Sequence, residues 1–179
     1  METSRSVLGA KEMDGILDRL AEAVLVRHGD SASLALIGIE RRGVNIASSL
    51  IRRMEKRLGR AVPLGRLDIT LYRDDWTVRG PKPSVGQTRI PFGVEGMMLI
   101  LVDDVLFTGR TVRAALEALA DHGRPGRIEL LVLVDRGHRE LPIHADYAGL
   151  TLDTKPEDRV DVLVREVDGE DGVRLVSRG

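Results

Sequence analysis

Met13, Ile16, Leu17, Leu20, Val24 and Leu25 fall at helical spacing, which predicts an amphipathic helix from about Lys11 to His28. The apolar run LALIGI (Leu34–Ile39) follows and reads as a buried strand. Val44, Ala47, Leu50, Ile51, Met54 and Leu58 form a second stripe, predicting a helix from about Gly43 to Leu58. Cations in its last turns, then Gly59, suit a helix end, where carbonyls carry partial negative charge and glycine permits the closing turn. LGRLDITLY (Leu64–Tyr72) has period-two character and predicts a strand. The most apolar strand is MMLILVDD (Met97–Asp104). A helix from about Thr111 to His122, closed by Gly123, leads to another apolar strand, RIELLVLVD (Arg127–Asp135). Near-continuous apolar strands between helices imply an α/β fold with a mostly parallel sheet covered by helices. Near the C-terminus, VDVLVREVDGEDGVRLVS reads as two strands joined at Asp168–Gly172. The DGEDG string lacks the twelve-residue spacing of a calcium loop and is expected to be a hairpin turn.

Arg73–Pro91 breaks the pattern. It holds three prolines, Gly80, Gly86 and several charges. So long an irregular stretch inside a compact domain is expected to be a lid or binding loop.

Composition narrows the class. A length of 179 residues suits one domain with a real core. The absence of cysteine excludes disulfides, thiolate metal sites and a Cys nucleophile. The longest purely apolar run, Met97–Val102, is far short of the ~20 residues a membrane helix needs. METSRSVLGAKEMD lacks a signal-peptide core, so a cytoplasmic location is expected. Charge is balanced, 27 Lys+Arg against 28 Asp+Glu, so nucleic-acid binding would need a local basic face. Aromatics are only 3 %, which argues against base-stacking platforms. No histidine pair has metal-ligand spacing, so no zinc site is expected.

The chemistry concentrates in LILVDDVLFTGRT (Leu99–Thr111). Open α/β sheets bind ligands beyond the carboxyl ends of their strands. Loop N–H groups and a helix N-terminus suit a phosphate, and Gly109 permits close backbone approach. Thr108 and Thr111 can donate hydroxyl hydrogen bonds. Asp103 and Asp104 repel phosphate but suit hydroxyl groups or a hydrated Mg²⁺. A ligand with those parts is a ribose 5-phosphate. Taken alone, the paired carboxylates could simply cap the following helix. No GK[ST] follows the glycine, so this is not a Walker loop.

The thirteen-residue string resembles the PRPP-binding motif of type I phosphoribosyltransferases. With GIERRG (Gly38–Gly43), DITLYRDD (Asp68–Asp75), TRIPF (Thr88–Phe92), GRP (Gly123–Pro125) and LVDRGHRELPIHADYAG (Leu133–Gly149), the chain is similar to the pyrimidine-operon attenuation regulator family, PyrR, from about Met13 to Val176. That resemblance implies a type I phosphoribosyltransferase fold over residues 1–179. It adds a flexible loop at about 73–91, a small hood from N-terminal and post-135 segments, and a C-terminal β-hairpin. It implies the reaction uracil + PRPP → UMP + pyrophosphate, with Mg²⁺ as cofactor. Asp103, Asp104 and Arg73 are then the catalytic groups, the two carboxylates also associating with Mg²⁺ directly or through water or PRPP. PRPP is held by Asp103, Asp104, Val105, Leu106, Phe107, Thr108, Gly109, Arg110 and Thr111. Pyrophosphate falls to Arg41, Arg42, Gly43 and Arg89, and the base to Asp135, Arg136, Gly137 and His138. Arg41 stands where relatives more often have threonine.

The family also implies UMP/UTP-responsive binding of leader mRNA by a homodimer or homotetramer, here through Arg27, Arg139 and His144. Asp18 and Glu22 depart from the hydroxyl residue and histidine of RNA-binding relatives, and His144 and Leu150 replace cations. Residues 1–30 carry four Lys/Arg and six Asp/Glu, a balance of −2, where phosphate binding asks for positive charge. Catalysis is therefore expected to be retained and attenuation weakened, unless a shifted face such as Arg52, Arg53, Lys56 and Arg57 serves instead. Two other readings stay open: an RNA-binding regulator with little catalysis, and a purine-salvage phosphoribosyltransferase.

Overall fold

The computed structural model describes residues 2–73 and 87–178. The elements are β1 (Glu2–Leu8), α1 (Ala10–His28), β2 (Leu34–Ile39), α2 (Arg42–Leu58), β3 (Leu64–Leu67), β4 (Met98–Leu106), α3 (Arg110–Ala120), β5 (Arg127–Asp135), β6 (Tyr147–Thr151), β7 (Arg159–Leu163), α4 (Arg165–Asp168) and β8 (Gly172–Arg178). Five strands form an all-parallel sheet in the order β3-β2-β4-β5-β6. Side chains alternate across it, as strand geometry requires. Met98, Ile100 and Val102 join α1 and α2 in one core, and Leu99 and Leu101 join α3 in the other. Both faces are covered, which is why these strands read as unbroken apolar runs.

The two C-terminal strands pair as expected, but residues 164–171 join them through α4 where a turn at Asp168–Gly172 was expected, and the sheet is larger. β1 adds to it, giving a three-stranded antiparallel sheet, β1-β8-β7. The apolar side of that sheet (Val160, Val162, Val173, Leu175) packs into the core under α1 and α2. β1 was not predicted because most of it is exposed and its apolar pattern is weak. Backbone pairing with β8, from Glu2↔Arg178 to Leu8↔Val173, makes it a strand. β6 also went unpredicted, since only Tyr147 of its five residues is buried.

β3 ends at Leu67 instead of running on to Tyr72. Asp68 Oδ1 accepts from the Thr70 N–H (2.8 Å) and hydroxyl (2.5 Å), and the chain turns into a single 3₁₀ turn, Thr70–Tyr72. A short polar side chain here outcompetes the sheet ladder. The expected loop at 73–91 falls mostly outside the described residues. Its two ends meet where Arg66 and Arg89 exchange backbone hydrogen bonds of 2.8 Å, and Thr88 Oγ1 accepts from Asp68 N–H at 3.0 Å. Among the described residues, no helix is long and apolar enough to cross a membrane.

Candidate active site

β2 and β4 lie side by side and parallel, so the loops leaving their carboxyl ends converge. α2 starts directly against β4. A Cβ on Gly43 would stand 2.5 Å from the Val102 carbonyl oxygen, so only glycine allows this approach. Gly109, with φ of 93°, turns the chain from the β4 loop into α3.

Asp103 and Asp104 sit at this junction. Asp103 is buried, its Oδ1 accepts from the Asp104 N–H (2.9 Å), and Asp104 Oδ1 accepts from the Val105 N–H (2.8 Å). Burial, then the neighbouring Asp104 charge, pushes the Asp103 carboxyl well above the usual range, against the pull of the Asp104 N–H and of Arg73.

Two clefts open on either side of the pair. One, of about 380 Å³, is lined by Glu40, Arg41, Arg42, Asp68, Thr70 and Asp104, among others. The other, of about 280 Å³, is lined by Leu106 to Val112. Arg73, Asp103, Val105 and Thr111 line both. The first gathers three arginines among four carboxylates, while the second offers loop N–H groups and hydroxyls. A groove of about 420 Å³ lies elsewhere, between α1, α2 and α4. There Arg53 pairs with Asp14, and Arg52 with Glu166 at 4.0 Å.

The predicted residues divide. Asp103 to Thr111, Arg41, Arg42 and Arg73 line the clefts. Arg42 is already bound: its Nε and Nη2 donate to Asp168 Oδ2 and Oδ1 at 3.2 and 2.9 Å. Gly43 supports the first cleft through the start of α2, and Arg89 is exposed at the loop stem. Neither cleft is lined by Asp135, Arg136, Gly137 or His138.

These last four stand behind the phosphate-loop candidate, Phe107. The Arg136 guanidinium lies over its ring at 4.0 Å, and the His138 ring meets it edge-on at 6.0 Å. Arg136 is buried and donates to the carbonyls of Asp158 (2.6 Å) and Lys155 (2.7 Å). His138 Nε2 donates to the Thr154 carbonyl (2.7 Å), which fixes a proton on that nitrogen. The Gly137 N–H donates to Asp135 Oδ1 (3.0 Å).

Two of the three RNA candidates, Arg27 and Arg139, are engaged within the chain. Arg139 is spent on the carbonyls of Phe107, Gly137 and Ile143 and on Asp135. Arg27 pairs with Glu129 at 3.1 Å, and exposed His144 lines a groove beside α3. Asp18 accepts from Arg53 Nε (2.8 Å) and Glu22 pairs with Arg57, so the acids of α1 neutralise much of the basic cluster on α2.

Sequence reasoning singled out neither Asp168 nor Glu129. Asp168 lay in a string read as a turn, and no local spacing ties it to Arg42. Glu129 is a lone acid within an apolar strand.

The model of the phosphoribosyl transferase domain family matches residues 10–163. A bifunctional protein PyrR from Thermus thermophilus is 51 % identical over 178 residues, covering 99 % of this chain and 98 % of that protein. One from Chloroflexus aurantiacus is 49 % identical, covering 100 % and 98 %. Among solved structures, a hypoxanthine phosphoribosyltransferase of Trypanosoma cruzi superposes with a TM-score of 0.72 at 16 % identity, covering 96 % and 95 %. One from Staphylococcus aureus gives 0.70 at 19 %, covering 95 % and 90 %. At such identities the likeness is one of fold.

Proposed function

This chain belongs to the PyrR family of phosphoribosyl transferases, and from that premise we infer that it converts uracil and PRPP to UMP and pyrophosphate and regulates transcription of pyrimidine genes. The observation that carries the catalytic reading is the pair Asp103–Asp104 beside three arginines in one cleft, with Asp103 shared with an adjoining N–H-rich cleft.

That arrangement fits the parts of PRPP. The 5-phosphate suits the loop N–H groups and hydroxyls of Phe107 to Thr111 at the start of α3. The ribose hydroxyls suit Asp103 and Asp104. The pyrophosphate suits Arg41, Arg42 and Arg73 in the larger cleft. As the C1–O bond breaks, its electron pair leaves with pyrophosphate and the ribose gains oxocarbenium character. Uracil N1 bonds to C1, and its proton passes to the departing pyrophosphate or to water. The chain's contribution is then chiefly positioning and electrostatics: cations meet the charge that grows on the leaving group, and carboxylates hold the ribose. Phe107, backed by Arg136 and His138, supports the phosphate loop from the hood side.

Mg²⁺ fits this donor set. Asp103 and Asp104 are hard oxygen donors, and no group of three His, Cys, Asp or Glu among the described residues could hold an ion unaided. An ion shared with water and substrate oxygens is the usual Mg²⁺ arrangement. Bound there, it supplies positive charge to the departing pyrophosphate.

The regulatory half rests on family membership and takes leader mRNA as partner, with UMP or UTP as the signal. A homodimer or homotetramer in the cytoplasm belongs to this reading.

The test is UMP formation from uracil, PRPP and Mg²⁺. UMP production with no turnover of hypoxanthine or guanine supports the reading. Preference for a purine would replace it with purine salvage, and no turnover of any base would leave a regulator.

A further inference from the structure

Asp168 lies 126 positions beyond Arg42, at the end of α4 in the connection between β7 and β8, yet it takes one whole edge of the Arg42 guanidinium. The carboxylate is itself held in place. Its Oδ2 accepts from the Val164 N–H (2.9 Å), and the Asp168 N–H donates back to the Val164 carbonyl (2.7 Å). Val164 is buried in the core under α1 and α2, so the turn bearing Asp168 is anchored. At the other end, Arg42 opens α2, whose start is fixed against β4 through Gly43.

The geometry leaves Arg42 half used. A guanidinium has five N–H donors in a rigid plane. Nε and Nη2 each give one to Asp168, which leaves both donors of Nη1 and one of Nη2. Arg42 lines the same cleft as Arg41, Arg73 and Asp104. The pair is partly sheltered, with side chains 36 % and 17 % exposed, so it is screened less than a surface pair. Hydrogen bonding to Arg42, then to the Val164 N–H, holds the Asp168 carboxyl below its ordinary range.

We propose that Asp168 is a positioning residue for phosphoribosyl transfer: its bidentate grip on Arg42 aims the remaining guanidinium donors at the pyrophosphate of PRPP. The C-terminal hairpin thereby takes part in substrate binding without touching substrate. This rests on Glu40–Gly43 being the pyrophosphate loop.

The experiment compares Arg42→Ala, Asp168→Ala, Asp168→Asn and the Arg42→Ala/Asp168→Ala double variant in the full-length protein. Asp168→Asn keeps an acceptor for the Val164 N–H, so it preserves the turn if Asp168→Ala fails to fold. Readouts are KM for PRPP, KM for uracil, product inhibition by pyrophosphate, and Tm. Loss of one charge-assisted contact predicts about a 10-fold rise in KM for PRPP and in the pyrophosphate inhibition constant, with KM for uracil nearly unchanged. In the Arg42→Ala background the Asp168 substitution is expected to add nothing. If Arg42→Ala weakens PRPP binding but neither Asp168 variant does, the positioning role falls and the loop assignment stands. Tighter PRPP binding in Asp168→Asn would make Asp168 a competitor of substrate and also overturn the proposal. If Arg42→Ala changes neither constant, the loop assignment itself fails. Equal losses for uracil and PRPP, tracking a lower Tm, reduce Asp168 to a structural role.

Discussion

The guanidinium of Arg136 lies 4.0 Å over the ring of Phe107, joining the segment after β5 to the loop after β4. Arg136 is 5 % exposed, and it also donates to the backbone carbonyls of Lys155, Pro156 and Asp158 and to Thr154 Oγ1. A buried cation is tolerable only with such partners.

Arg136→Ala is therefore expected to lower stability by about 2–4 kcal/mol, because it empties buried volume and strands the carbonyls of Lys155 and Asp158. Urea denaturation checks this. The more conservative Phe107→Leu removes the cation–π contact, about 0.5–2 kcal/mol, together with the edge contact of His138, and should raise KM for PRPP more than it lowers the urea midpoint.

Asp104→Asn removes a charge-assisted contact to the ribose or its cation, worth about 1.5–3 kcal/mol. A fall in kcat/KM of roughly 10- to 100-fold is expected, at 1.36 kcal/mol per decade. An unchanged kcat/KM removes Asp104 from the site.

Glu129 predicts the acid limb of stability. The side chain is 1 % exposed and meets His28 Nε2 (2.8 Å), the Tyr147 hydroxyl (2.8 Å), Arg27 (3.1 Å) and Arg127 (2.9 Å). Burial pulls its carboxyl up, but hydrogen bonds from His28 and Tyr147 and the charges of His28 and Arg27 more than offset that, and the net shift is downward. A carboxylate with a lowered folded-state value contributes stability above its unfolded value, about 4.3, and loses it as pH falls through the lowered one. Denaturation midpoints below about pH 4.5 should thus fall more steeply for the natural protein than for Glu129→Gln. Burial and the Glu129 contact push the Tyr147 phenol up to about 12, so it should stay protonated in ultraviolet titration until strongly alkaline pH.

The paired acids of α1 bear on RNA. Replacing Asp14, Asp18 and Glu22 by Ala releases Arg53 and Arg57 from their carboxylates. Filter-binding titrations with the protein's own pyrimidine leader, with and without UMP, should show weak binding for the natural chain. The triple variant should bind more tightly, with a salt slope steeper by roughly one to two units for two freed cations. Tight, UMP-enhanced binding by the natural chain would mean that another face carries the RNA.

The sequence alone was enough to locate β2 (Leu34–Ile39), α1, α2 and β5 to within a residue, and to single out Asp103–Thr111, which lines the two clefts. Each depends on contiguous residues, whether an apolar period or a loop whose own N–H groups make the site. The tertiary structure decided what depends on distant partners. β1 and β6 are strands because a neighbour offers backbone hydrogen bonds, which leave little trace in an apolar pattern. Asp18 and Glu22 read as ordinary helix-face acids until packing set Arg53 and Arg57 beside them. Arg42 stood out only as an expected pyrophosphate ligand, and its pairing with Asp168 appears once the β7–β8 connection packs against α2. Periodicity records which side of an element is buried, whereas charge pairing depends on which surfaces meet, and that is settled only when the layers pack.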